Sequence, residues 1–433
     1  MGVFEGSNAF ARSYDPARER HVDIADPRSQ SMIAEARATY CSFSERFRQE
    51  LSIERPESIF RVYAQAEAAG IFALAGRTRE YFFGRDIHFY GVTYLWDMCI
   101  ESCVYCPAAV DNRKQARYKP LSLSVDDAVR DVRYVMADGH RHLCVLTGED
   151  PTLHPAAKLA EFIAAFDELG LEEIILNVEP PRNLSDFDLW RAAAPKTALQ
   201  FRIFQETYNR ETYAMIHPVS KLGRKHDFDN RYNAQLAAMQ HGFDNYGLGV
   251  LFGNHSLPIE EIDGLMEHAE FLRERTGKEP ARINLPSAKH LENIEVRVPF
   301  DLHMSRGSDS ASKLAYQLVS ELIYALARLA FPHISLVSSE RDSPDILSAL
   351  DRYATCTTLN VHPGVGDNIR FNEGIDFMVP HFEQAPSFSR DPRSTRLNYI
   401  SRGYQPRLAP ITSRSVFDRA TTPRTVNLQI FAS

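Results

Sequence analysis

The chain has 433 residues, 44% of them hydrophobic, and a formal net charge of −8. That length suits one large α/β barrel with additions or two ordinary domains, and the acidic balance argues against a nucleic-acid partner, which needs a basic face to neutralise phosphates. No apolar run approaches the roughly 18 residues of a membrane span, and no basic stub leads into an apolar core as in a secretory leader; a cytoplasmic protein with a small substrate and no membrane contact is expected. Of six cysteines three are crowded together, which is not a disulfide framework, and the scattered Cys41, Cys144 and Cys356 read as buried thiols.

Residues 1 to about 30 are polar and irregular. From SMIAEARATYCSFSERF to GRTREYFFG the pattern is helical, with Ala-rich stretches ending at glycines. HFYGVTYLWDMC then reads as a strand running to Cys99. Helix and strand alternate from there: LSVDDAVRDVRYVMADG before HLCVLTG, AKLAEFIAAFDELG before EEIILNV, DFDLWRAAA before LQFRIFQ, and DNRYNAQLAAMQHG before YGLGVLFG. EEIDGLMEHAEFLRER precedes ARINLP, SKLAYQLVSELIYALARLAF precedes HISLVSS, and DILSALDRYA precedes TTLNV. The long helix before HISLVSS is apolar at helical spacing through Leu314, Leu318, Leu322 and Leu329. Eight strands recurring at this rhythm predict a parallel (βα)8 TIM-type barrel over 86–383 with its site at the strand C-terminal ends. Residues 1–85 form a helical extension in this reading, and 384–433, rich in Pro, Ser, Thr and Arg, an extended irregular tail.

The stretch CIESCVYC holds Cys99, Cys103 and Cys106 four and three residues apart. Three thiolates can hold three corners of an iron-sulfur cube and leave the fourth iron open; a zinc knuckle completed by a distant His is the other use of such a set. With Tyr105 before the last Cys and a strand before the first, the pattern resembles the radical S-adenosyl-L-methionine (SAM) superfamily. The resemblance implies one 4Fe-4S cluster, SAM chelated at the open iron, and a 5'-deoxyadenosyl radical produced by a small electron donor such as flavodoxin or ferredoxin. Thr147, Gly148 and Glu149 stand where the superfamily has a Gly-Gly-Glu turn against the amino group of SAM.

FQETYNRETYAMIHP followed by DFDNRYNAQLAAMQHGFDNYGLGVLFG narrows the likeness. Across roughly residues 55 to 370 the chain resembles the aromatic amino-acid lyases of that superfamily, which act on tyrosine or tryptophan. On that resemblance Gln205, Glu206 and Arg231 hold the polar groups of SAM, Tyr94 points into the barrel near the substrate, and Arg341 clamps the substrate carboxylate. Arg231 could instead pair with Asp227 or Asp229, Arg341 with Glu340 or Asp342, and Tyr94 could be a core aromatic. The chain departs from the family at His362 and Val365, at Pro286–Ser287, and at Trp96–Asp97, all expected on the pocket wall. His362 is a candidate general acid or base, or a loop cap. The expected function is hydrogen abstraction from a free amino acid with fragmentation at its Cα. The alternatives are a radical SAM mutase or adenosylating enzyme on a different amino acid, and a non-catalytic zinc-binding barrel.

Overall fold

The structure is a computed structural model that describes residues 23–112, 120–288, 310–374 and 390–407, with the backbone of the short strand Gln429–Ile430. The strands are β1 (Asp86–Trp96), β2 (Leu121–Ser122), β3 (His142–Thr147), β4 (Glu173–Asn177), β5 (Ala198–Arg202), β6 (Asn245–Gly249), β7 (Arg282–Asn284), β8 (Ser335–Ser338) and β9 (Cys356–Thr358). β1 and β3 to β9 pair in parallel in that order, and β9 pairs back onto β1 through His88, Phe89 and Tyr90, so the eight predicted strands close a barrel. β1 stops at Trp96, three residues short of Cys99. Its register against β3 slips between Tyr94 and Trp96. Such a bulge bends a strand and re-aims the residues beyond it, here the cysteine loop.

The N-terminal helices are α1 (Pro27–Phe47), α2 (Pro56–Ala68) and α3 (Ile71–Phe83). Asp26 caps α1 by accepting from the amides of Arg28 and Ser29, with Pro27 opening the first turn. Ile33, Ala36, Tyr40, Phe43 and Phe47 fall at helical spacing and are buried. Cys41 lies out of phase with that stripe and is exposed, contrary to expectation, whereas Cys144 and Cys356 are buried. The three helices pack on the helix Ser310–Ala330 and share one apolar core with it and with strands β6 to β8. From Val319 to Ala330 that helix is therefore buried all round, while Leu314, one turn before, is 46% exposed. Leu322 and Leu329 of its apolar stripe are fully buried and Leu318 packs against the core, while the residues off the stripe are buried as well because the helix is covered on two sides.

The segment expected to be an extended tail contains the helix Pro392–Ser401 and β10 (Gln405–Arg407), which pairs in parallel with Asp86–His88 of β1. Asp391 accepts from the amide of Ser394 and Pro392 opens the helix, so end signals carry a stretch with little apolar periodicity. Tyr399 and Arg402 both bond Asp351, at 2.9 and 2.8 Å. Residues 1–22 and the rest of the tail lie outside the described residues. Among the described residues no helix is long and apolar enough to cross a membrane.

One buried carboxyl fixes the turn after β5. Glu261, 1% exposed on the helix Pro258–Thr276, accepts from the Thr207 hydroxyl at 2.5 Å and the Tyr208 amide at 2.7 Å. Burial pushes its pKa up to about 7, against the pull of these bonds. Its folded pKa exceeds its unfolded one, so its contribution is full below about pH 4.5 and is lost as pH rises through about 7. Glu261→Gln should flatten that dependence: stability of the wild type relative to the variant falls by about 2–3 kcal/mol between pH 4.5 and 8 in chemical denaturation. Parallel curves would show that Glu261 does not titrate in this window.

Candidate functional site

The cysteine loop is anchored on three sides. The Ile100 amide donates to the Glu149 carbonyl at 2.7 Å, the Val104 amide to Ile216 at 3.0 Å, and the Asn112 amide group to the Cys106 carbonyl at 2.8 Å. Glu101, buried within the cysteine motif, accepts from the amides of Arg224 and Lys225 at 2.6 and 3.0 Å. It thereby ties the segment 220–225 to the loop. Sequence reasoning passed over Glu101, although an acid between two cluster cysteines was a visible signal.

Gly148 is required by this arrangement. A Cβ there would lie 2.2 Å from the Met98 carbonyl oxygen and 2.7 Å from its carbon. The turn Thr147–Gly148–Glu149 therefore lies directly against the backbone leading to Cys99, a close approach that glycine permits. Trp96 and Asp97 brace the same junction from behind. The Trp96 indole donates to the Gly148 carbonyl at 2.8 Å and stacks on His154, and Asp97 accepts from the Leu121 amide at 2.7 Å. Both are buried in the scaffold, off the pocket wall where they were expected.

Two cavities share Leu146, Asn177, Phe204 and Arg341. The upper one sits at the strand C-terminal ends beside Tyr105, Cys106 and Pro107, and Thr147, Glu206 and Arg231 line it. The lower one runs down the barrel interior between Tyr90, Tyr94, Arg202, Asn284 and Thr358.

The upper cavity holds a buried charge cluster. Glu206 takes a left-handed backbone (φ 70°), a conformation costly for a residue with a side chain and common at functional sites. Its carboxylate meets Lys225 Nζ at 3.0 Å and Arg231 Nη2 at 3.3 Å. Burial pushes the Glu206 pKa up, but Lys225 and Arg231 outweigh it and hold the group below the ordinary carboxylate range. Arg231 also bonds Glu179 and the Phe204 carbonyl, so its fork is already engaged. The expected alternatives, Asp227 and Asp229, have other roles: Asp227 caps the helix Phe228–Tyr232 and Asp229 pairs with Arg210 at 2.6 Å. Lys225 also lies 5.6 Å from the centre of the Tyr105 ring, whose hydroxyl meets His217 Nε2 at 3.0 Å. Lys225 was missed because LGRKHD reads as a solvated charge run. Gln205 is buried but lines neither cavity; its amide donates to the Phe228 carbonyl at 3.3 Å. Glu149 faces Glu179 and Glu101, and burial followed by those carboxylates pushes its pKa up to about 10.

Arg341 stands where the cavities meet, without a hydrogen bond or ion pair among the described residues. Its neighbouring acids are engaged elsewhere. Glu340 pairs with Arg390, from the tail, at 2.9 Å and accepts from the Val361 amide at 2.8 Å, while Asp342 accepts from the Tyr316 hydroxyl. Tyr94 lines the lower cavity; burial pushes its pKa up and the charge of Arg341 pulls it back. His362 lines neither cavity, although Val361 and Pro363 on either side of it do. Its ring stacks on Phe371 with centroids 4.2 Å apart, and burial lowers its pKa. Val365 and Ser287 also stay off both linings, and the Ser287 hydroxyl meets that of Tyr316 at 2.7 Å.

Residues 93–272, which carry the three-cysteine loop and most of the charged cavity, match the model of the Radical SAM superfamily. The chain is 25% identical over 262 residues to 2-iminoacetate synthase of Escherichia coli (strain K12), and 24% identical over 266 residues to that of Salmonella typhimurium (strain LT2). The matches cover 60% of this chain and 63% of each relative. In fold it is similar to HydG, a maturase of the FeFe-hydrogenase (TM-score 0.67, 22% identity, 88% of this chain and 80% of that one). It is also similar to methylornithine synthase, PylB (TM-score 0.61, 19% identity, 87% and 96%).

The cofactors that go with such a domain are a 4Fe-4S cluster and SAM. The residues present fit them. Cys99, Cys103 and Cys106 share one loop, and the cavity beside Cys106 offers acceptors and donors suited to an ammonium, a carboxylate and ribose hydroxyls. Among the described residues no three His, Cys, Asp or Glu side chains converge on one ion; the thiolates of a cubane cluster each bind a different iron, so convergence is not required of them.

Proposed function

We propose that the chain is a radical SAM lyase that takes a free amino acid, tyrosine or tryptophan in the family's pattern, and fragments it at the Cα–Cβ or Cα–carboxylate bond. When bound, the cluster and SAM supply the 5'-deoxyadenosyl radical. Cys99, Cys103 and Cys106 hold the cluster, and Thr147, Gly148 and Glu149 present backbone to SAM. Glu206, held by Lys225 and Arg231, takes an ammonium or ribose hydroxyl; Gln205 supports the Phe228 turn from behind. Arg341 clamps the substrate carboxylate, with Tyr94 beside it, and the side chain descends into the barrel.

The observation that carries this reading is the guanidinium of Arg341, left without an acidic partner among the described residues where the two cavities join. A cation at that junction suits a carboxylate held between the radical source above and the barrel below, and an Arg fork fixes orientation as well as energy. Orientation decides the outcome, because a radical takes the hydrogen nearest to it, at roughly 3–3.5 Å in a reactive pose. The test is anaerobic turnover with SAM and reductant in heavy water. Amino-acid-dependent 5'-deoxyadenosine should carry one deuterium, showing abstraction from an exchangeable N–H, with a cresol, skatole or indolic acid as co-product. The proposal falls if no amino acid raises 5'-deoxyadenosine above background.

A further inference from the structure

The floor of the lower cavity carries a second cation that the proposed function does not use. Arg202, on β5, is 1% exposed and lines that cavity. Its Nη2 donates to Cys144 Sγ at 3.0 Å, and its guanidinium carbon lies 4.8 Å from the centre of the Tyr90 ring. Its Nε and Nη1 have no hydrogen-bond partner among the described residues. Cys144 does not balance the charge: burial pushes its thiol pKa up, more than Arg202 pulls it down. Nor does Glu173, which is held by Arg282 at 2.8 Å and Gln200 at 3.1 Å.

An uncompensated buried charge costs several kcal/mol. The barrel nonetheless makes room for it. A Cβ on Gly247 of the neighbouring strand would lie 2.8 Å from Arg202 Cγ and 2.9 Å from Cδ, so a glycine is what lets the stem pass. The cavity thus has cations at two ends, Arg341 where it meets the upper cavity and Arg202 in the barrel interior.

Resting on the proposed function, we infer that Arg202 is the specificity-determining residue for the substrate side chain: it receives a terminal oxygen acceptor, carboxylate or phenolate, while Arg341 holds the α-carboxylate. An indole offers only an N–H donor and leaves Arg202 unpaired, so this pocket selects against tryptophan. A site built to bond an oxygen rejects the analogue lacking it far more strongly than a methylene-sized difference would.

The test is calorimetric titration of the anaerobically reconstituted, SAM-loaded enzyme with two matched pairs, tyrosine with phenylalanine and glutamate with norvaline. In at least one pair the oxygen-bearing member should bind about 30-fold tighter or more, and which pair responds tells phenol from carboxylate. Arg202→Met should bring that ratio close to one without weakening the oxygen-free member. Should Arg202→Met fail to fold, Gly247→Ala, which crowds the stem and keeps the charge, should lower the ratio instead. Equal binding within both pairs, or a ratio unchanged in the variant, overturns the inference and leaves the amino-acid reading standing. If none of the four binds, this inference falls, and the amino-acid reading is decided by whether any amino acid, tryptophan included, raises 5'-deoxyadenosine in the turnover test.

Discussion

A Gly148→Ala chain, reconstituted anaerobically, should hold little of the wild type's iron and make 5'-deoxyadenosine at least about 100-fold more slowly. The added methyl would sit 2.2 Å from the Met98 carbonyl oxygen and 2.7 Å from its carbon. Backbone cannot swing aside as a side-chain tip can, so either the turn after β3 or the chain leading to Cys99 must move. The first breaks the Trp96 indole bond to the Gly148 carbonyl, and the second displaces the first cluster thiol. Forcing an extra carbon into a packed site costs about 1–3 kcal/mol, so the apo chain should melt lower but still fold. Gly76→Ala is the control, because a Cβ on that helical glycine meets nothing within 4 Å. Iron and sulfide analysis, with thermal melts of the apo forms, decides the matter. Wild-type iron in Gly148→Ala would mean that the loop yields without consequence for the cluster.

Arg341→Met should give the opposite profile. Iron content and melting temperature stay at wild-type values, because the guanidinium supports nothing among the described residues, and surface-like changes of that kind fall within about 0.5 kcal/mol. Substrate-dependent turnover should fall by about 100-fold or more, with a raised KM, while slow substrate-independent cleavage of SAM persists. A lower melting temperature or lost iron would assign Arg341 a structural role. The tail contributes to this prediction. Arg390 neutralises Glu340, and without it that carboxylate would compete for Arg341 from one residue away.

The barrel and the cluster loop could be read directly from residue order, because both are local signals. Strand and helix periods repeat within a few residues of one another, and Cys99, Cys103 and Cys106 lie within a single loop. Each of the eight predicted strands is present. Side-chain placement across the barrel was a different matter, because it depends on which strand ends meet in space. Arg231 faces Glu179, 52 residues away, in preference to the acids beside it. Trp96 and Asp97, two and three residues after Tyr94 of the lower cavity, and His362, flanked by Val361 and Pro363 of that cavity, pack into the scaffold. A bulge in β1 and alternation along a loop turn neighbours to opposite sides.

Lys225, Arg202 and Arg390 had no motif to announce them. Their partners lie on other elements, and each lies in a stretch that looks ordinary on its own: a charge run, a strand, a tail. Periodicity and spacing fix what a segment becomes, through forces that act over a turn or two. Which charges are compensated, and which are left facing a cavity, is settled by long-range packing that brings distant segments together. Arg341 and Arg202 acquire their meaning at that level, since a cation is unpaired only in relation to everything folded around it.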